Sequence, residues 1–161
     1  SSIVAFSDNP AHPYSIVDMS QVYKGQAKSV LRGITLLPTH EILIQDEFIG
    51  LHRGSRVRWG MITTGEPDDL GDSKVTLHQK AEQLTLNLLA PTSATWNQID
   101  TAKPRHEWDT PNPGTRMISF EAHAPKSGQL TLAVLATPGS CKKPSDDKRR
   151  VDPLANWSRK Q

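Results

Sequence analysis

The sequence predicts an all-β chain: an antiparallel two-sheet β-sandwich with a long Pro-rich loop and a basic C-terminal tail. Three observations carry that prediction. First, Val75 to Pro91 reads V-T-L-H-Q-K-A-E-Q-L-T-L-N-L-L-A-P, two alternating runs about a short polar connection. Val75 and Leu77 share one face, and Leu84, Leu86 and Leu88 share another, the period of two that a half-buried strand requires. Second, the pattern returns in Gly128 to Ala136, where Leu130, Leu132 and Val134 alternate with Gln129, Thr131 and Ala133. A hairpin cannot bury such a row alone, so the two rows are expected to close over each other as opposite walls of a sandwich. Third, no apolar period of 3.6 residues persists beyond one or two turns anywhere in the chain.

Taken in order, Ser1 to Pro13 holds Asp8-Asn9-Pro10 and His12-Pro13, breaks that predict a leading loop rather than an element. Tyr14 to Ser20 predicts a short strand that Val22 and Tyr23 could extend, followed by a turn at Lys24-Gly25-Gln26. Lys28 to Pro38 is rich in branched residues, and His40 to Glu47 follows almost at once, which predicts a hairpin. After a turn through Gly50 and Gly54, Arg56 to Thr63 alternates, with Val57, Trp59 and Met61 on the apolar face. Glu66 to Asp72 predicts an acidic loop. Pro91 to Gly114 carries Pro91, Pro104, Pro111 and Pro113 with Trp96 and Trp108 among them, which predicts a long excursion with one short strand around Thr95 to Ile99. Loops of that length are often functional. Arg116 to His123 and Leu130 to Ala136 predict a final strand pair.

A chain of 161 residues suits one domain burying about 70% of its unfolded surface. The expected division is a β-sandwich over residues 1–141 and a basic tail over 142–161, anchored by Leu154 and a docked Trp157. The tail holds seven Lys or Arg against three Asp or Glu, and the whole chain is +2, so residues 1–141 sum to −2. A body of that sign lacks the basic surface of a nucleic-acid binder. No run approaches the ~20 apolar residues of a membrane span, and Ser1-Ser2-Ile3 does not open a signal peptide. Neither nucleic acid nor membrane is an expected partner. The absent initiator Met fits a processed product or a piece of a longer protein as well as it fits Met removal before Ser1. Cys141 is the single cysteine, which excludes an internal disulfide and a thiolate metal cluster within one chain.

Six histidines stand singly, at 12, 40, 52, 78, 106 and 123, without H-x-H or H-E-x-x-H spacing. His78 and His123 occupy outward registers and are expected to be solvated. Neither Gly54-Ser55 nor Ser127-Gly128 has the flanking pattern of a serine nucleophile. The acidic run Glu66, Asp68, Asp69, Asp72 matches no calcium loop, and the adjacent Asp46 and Glu47 point to opposite faces of a strand. No catalytic residue, metal site or cofactor is expected in this chain. Arg56 and Arg58, two residues apart on one strand, place two guanidinium forks side by side, a geometry suited to carboxylate or sulfate. A solvated strand face is the plainer account. Trp96 could stack on a sugar ring, or equally pin its loop to the core. Arg56, Arg58 and Trp96 are the candidate substrate-binding residues.

The run Val57 to Thr64, followed by Val75 to Gln79, Leu84 to Pro91, Asn112 to Arg116 and Ser127 to Leu132, resembles the C-terminal β-sandwich of the heparinase II/III-like polysaccharide lyases. Tyr14 to Asp18 and Ile44 to Glu47 resemble the strands before it, so the likeness runs from about Tyr14 to Pro138. The resemblance implies a parent enzyme with an N-terminal α-helical toroid that cleaves uronate-containing polysaccharide by β-elimination. It implies a base and an acid drawn from Tyr and His on that toroid, and metal ligands outside the motifs present here. This chain would then be a non-catalytic portion that supports the toroid and borders the cleft. Its partners would be the catalytic part and an acidic polysaccharide, and its location periplasmic or secreted. The alternatives are a free-standing carbohydrate-binding module and a structural interaction domain without sugar affinity.

Overall fold

The computed structural model describes residues 1–103, 107, 109–141 and 151–160. Trp108 and the basic run at 142–150 lie outside the described residues. Among the described residues eleven strands form: β1 (Ser2–Ser7), β2 (Tyr14–Asp18), β3 (Ser29–Leu36), β4 (Ile42–Ile49), β5 (Arg56–Thr63), β6 (Glu66–Leu70), β7 (Lys74–Gln79), β8 (Glu82–Ala90), β9 (Asn97–Asp100), β10 (Arg116–His123) and β11 (Leu130–Pro138). A short 3-10 helix, Leu154–Lys160, follows. The strands make an eight-stranded sheet ordered β1-β2-β3-β4-β11-β8-β7-β6 and a three-stranded sheet ordered β5-β10-β9. All pairings are antiparallel, and the fold is the β-sandwich that the alternation predicts.

The strands with the clearest period agree most closely with the sequence reading. β5 spans Arg56–Thr63 with Trp59 buried, and β7 pairs with β8 through Gln79 and Glu82 about the Lys80-Ala81 turn. The strand expected around Thr95 to Ile99 forms as β9, shifted to Asn97–Asp100.

Five expectations change. The leading loop contains β1, an edge strand whose register shifts between Ile3 and Ala5; that bulge breaks the period that would have revealed it. The strand at Tyr14 ends at Asp18, and Val22 and Tyr23 lie in a turn, where Tyr23 meets Phe48 edge-on with 6.2 Å between ring centroids. The acidic run forms β6, an edge strand in which Pro67 is tolerated because one side of the strand needs no donor. β10 and β11 do not pair with each other: β10 lies between β5 and β9, and β11 between β4 and β8. Their connection carries the chain from one sheet to the other, held by Ala124 N–H to Ser55 O and Gly54 N–H to Ala124 O.

The fifth change follows from the fourth. The leucine rows of β8 and β11 are neighbours in one sheet, with Leu88 opposite Val134, so they do not cover each other. Their cover is Trp59 of β5 and Ile118, Phe120 and Ala122 of β10. Alternation marks a buried face but not the strand that buries it.

A second apolar layer lies on the other face of the large sheet. Tyr14, Ile16, Leu43, Leu89, Ala133 and Leu135 pack there under Leu154 and Trp157. Gly33 in β3 admits this cover: a Cβ at that position would stand 2.3 Å from Leu154 Cδ2 and 2.9 Å from Trp157 Cζ3. Polar groups complete the attachment. Leu154 N–H donates to Glu47 Oε1 and Gln45 Nε2 donates to Asp152 O. The expected docking of Trp157 is thus onto the sheet of its own chain.

Candidate functional site

The three-stranded sheet leaves a cleft at its β5 edge, of about 400 Å³, between that edge and the inner face of β3 and β4. Phe48, Leu51 and Leu132 supply its apolar floor, the turn after β2 contributes Met19 and Tyr23, and His52, Arg56 and Arg58 line its other side. The size is that of a small-molecule pocket with a few polar groups on an apolar base.

Alternation decides which groups face this cleft. In β3, Val30, Arg32 and Ile34 point between the sheets; in β4, Ile44, Asp46 and Phe48 do the same. Asp46 and Glu47 therefore diverge as the sequence implied, Asp46 into the cleft wall and Glu47 toward Leu154. Arg32 clasps Asp46 through two bonds, Nε to Oδ1 at 2.6 Å and Nη2 to Oδ2 at 2.8 Å. The Asp46 carboxylate, by accepting these bonds, holds the Arg32 guanidinium above its ordinary pKa. This pair came from no sequence signal: thirteen residues separate the partners, and only the β3–β4 register sets them opposite.

Arg56 and Arg58 do come together, as their spacing requires, but with a carboxylate between them. Glu121, opposite Arg58 in the β5–β10 register, accepts from Arg58 Nη2 at 2.6 Å and lies 3.5 Å from Arg56 Nε. The forks are therefore partly engaged within the sheet. Arg58 also borders two shallow grooves on the outer face, one of about 280 Å³ with Asn97, Ser119 and Glu121, the other of about 310 Å³ with Ile99, Thr101 and Lys103. Arg58 is the common residue of all three concavities.

Trp96 is elsewhere. It is 5% exposed and meets Phe120 edge-on at 5.2 Å and Trp59 edge-on at 5.8 Å, while Trp59 and Phe120 stack at 5.7 Å. Of the two roles open to it, core anchor or sugar platform, the packing realises the anchor. Its Nε1 is buried without a hydrogen-bond partner, so the ring is held there by apolar contact. His78 is exposed with Nε2 3.2 Å from Asp68, and His123 is exposed as well. Among the described residues no group of three or more His, Cys, Asp or Glu is arranged to hold a metal ion, and no helix is long and apolar enough to cross a membrane.

No family model and no curated protein matches the sequence. Solved structures do match the fold. The heparan sulfate lyase HepC from Pedobacter heparinus has a TM-score of 0.62 at 13% identity, over 89% of this chain and 22% of that one. A heparinase III gene product gives 0.64 at 14%, over 84% of this chain and 21% of that one. Another heparinase III structure gives 0.61 at 12%, over 85% and 21%. This chain thus spans about a fifth of the length of these lyases, and the sandwich described above is the fold of that fifth.

Proposed function

We propose that this chain acts as the non-catalytic β-sandwich portion of a heparinase-type polysaccharide lyase, supporting the catalytic part and bordering the cleft that receives the polymer. The observation that carries the reading is the lopsided coverage: 84 to 89% of this chain matches, against 21 to 22% of the lyases. In the proposed parent, a base removes the proton α to a uronate carboxylate while an acid assists the departing oxygen. Those groups belong to the catalytic part. The site residues here are already engaged with one another, Arg32 with Asp46 and Arg56 and Arg58 with Glu121, which suits a wall better than a proton-transfer centre.

Incubation with heparin, heparan sulfate, chondroitin and alginate tests the reading. The expected result is no absorbance from unsaturated uronate; sustained product formation by this chain alone would refute it. A second reading, a carbohydrate-binding module, is favoured by the cleft whose side carries Arg56, Arg58 and His52. Calorimetric titration with the same glycans separates the two. A binding module gives heat that Arg58→Ala diminishes, and a scaffold gives none.

A further inference from the structure

The ion pair in the cleft wall is asymmetric. The Asp46 side chain is 2% exposed, whereas that of Arg32, which gives it both bonds, is 40% exposed. A buried carboxylate that accepts twice from one guanidinium fixes the plane of that group. Nε and one hydrogen of Nη2 are spent on Asp46, along one side of the fork. The end of the fork, Nη1 with the other hydrogen of Nη2, has no partner among the described residues, and Arg32 lines the cleft. Two parallel N–H bonds at that end are the complement of a carboxylate.

Four further features say what that end can receive. The first is charge. Arg32, Arg56 and Arg58 line the cleft and the carboxylates paired with them are Asp46 and Glu121, so one positive charge is left over. The second is a neighbouring donor. Tyr23 lines the cleft close enough to Arg32 to act on its charge, and its hydroxyl has no hydrogen-bond partner among the described residues. The third is the floor. Phe48, Leu51 and Leu132 are 5%, 9% and 1% exposed and Met19 packs against the same core, a surface that suits an apolar body. The fourth is size. The space of about 400 Å³, flanked by the turn after β2 and by the β4–β5 connection, lies in the lower part of the small-molecule range of about 300 to 1,000 Å³.

We propose that this cleft is a binding site for a small monocarboxylic acid with an apolar, ring-sized body. Its carboxylate sits on the open end of the Arg32 fork beside the Tyr23 hydroxyl, and its body lies on Phe48, Leu51 and Leu132. Asp46 is a positioning residue that holds the fork. A sugar acid fits less well, because its hydroxyls would face an apolar floor without partners. The ligand therefore differs from the glycans considered above, and the proposal rests on neither reading of the chain's role.

Titration of the ¹⁵N-labelled native chain with phenylacetate, followed by NMR, tests it. Saturable shifts are expected at Arg32 Nε and at the amides of Tyr23, Leu51 and His52, with sub-millimolar affinity. Phenylacetamide, which keeps the shape and loses the charge, should bind about tenfold more weakly. Acetate, which loses the body, should bind more weakly still, and glucuronate more weakly than phenylacetate. Arg32→Leu combined with Asp46→Leu leaves neither charge buried alone, and should abolish binding while the circular dichroism holds. Tyr23→Phe should weaken binding about threefold. Equal binding of acid and amide overturns the proposal, as do tighter binding of glucuronate, shifts confined to other parts of the sheets, and no saturable shift at millimolar phenylacetate. A folded double variant that binds unchanged overturns it too. If that variant does not fold, the native chain's ranking of acid, amide and acetate decides.

Discussion

Between the sheets, the large sheet is met by strands: Trp59, Ile118 and Phe120 interlock with Leu86, Leu132 and Val134. Behind it, Ala133, Leu135 and Tyr14 are met by a short 3-10 helix, which brings Leu154 and Trp157. The first layer is knitted by two sheets whose strands pair along their length. The second depends on a few side chains, a glycine and two polar attachments. Burial of similar chemistry can therefore be deeply cooperative on one face and locally removable on the other.

Substitutions can break or sharpen that contrast. Phe120→Ala should cost about 4 kcal/mol, read from urea denaturation, because it empties the centre of the Trp59–Trp96–Phe120 cluster. Asp46→Ala should cost about 2 kcal/mol by the same measurement, since it removes both bonds to Arg32, whose guanidinium at 40% exposure recovers part of the loss by hydration. Trp157→Ala should cost about 2 kcal/mol, with hydrogen exchange rising around Leu43 and Leu135 while β5 and β10 stay protected. If Trp157→Ala instead unprotects β10, the layers form one cooperative unit and the contrast fails. Gly33→Val should release the same segment by collision with Leu154, costing about 1.5 kcal/mol and giving the same exchange pattern. Arg58→Ala should change stability by about 0.5 kcal/mol, because its partner Glu121 is itself partly solvated.

The candidate site was legible to the extent that it is local. Arg56 and Arg58 had to share a face, and Asp46 and Glu47 had to diverge, because successive side chains leave a strand on opposite sides. Glu121, sixty-three positions beyond Arg58, could not be connected with it before the β5–β10 register was known. Trp96 shows the same limit from the other direction: its Pro-rich surroundings left core and surface equally open, and the position of Phe120 decided between them.

The sequence by itself determined that this is a β-sandwich, where most of its strands run and which residues of each strand share a face, since period two is a property of the local backbone. Only the tertiary structure decided which strands are neighbours, so that the leucine rows of β8 and β11 lie side by side and β10 supplies their cover. It also decided that Leu154 and Trp157 fold back over Gly33. Pairing and docking bring together residues far apart in the chain, and the energy that selects them resides in contacts that no short stretch contains.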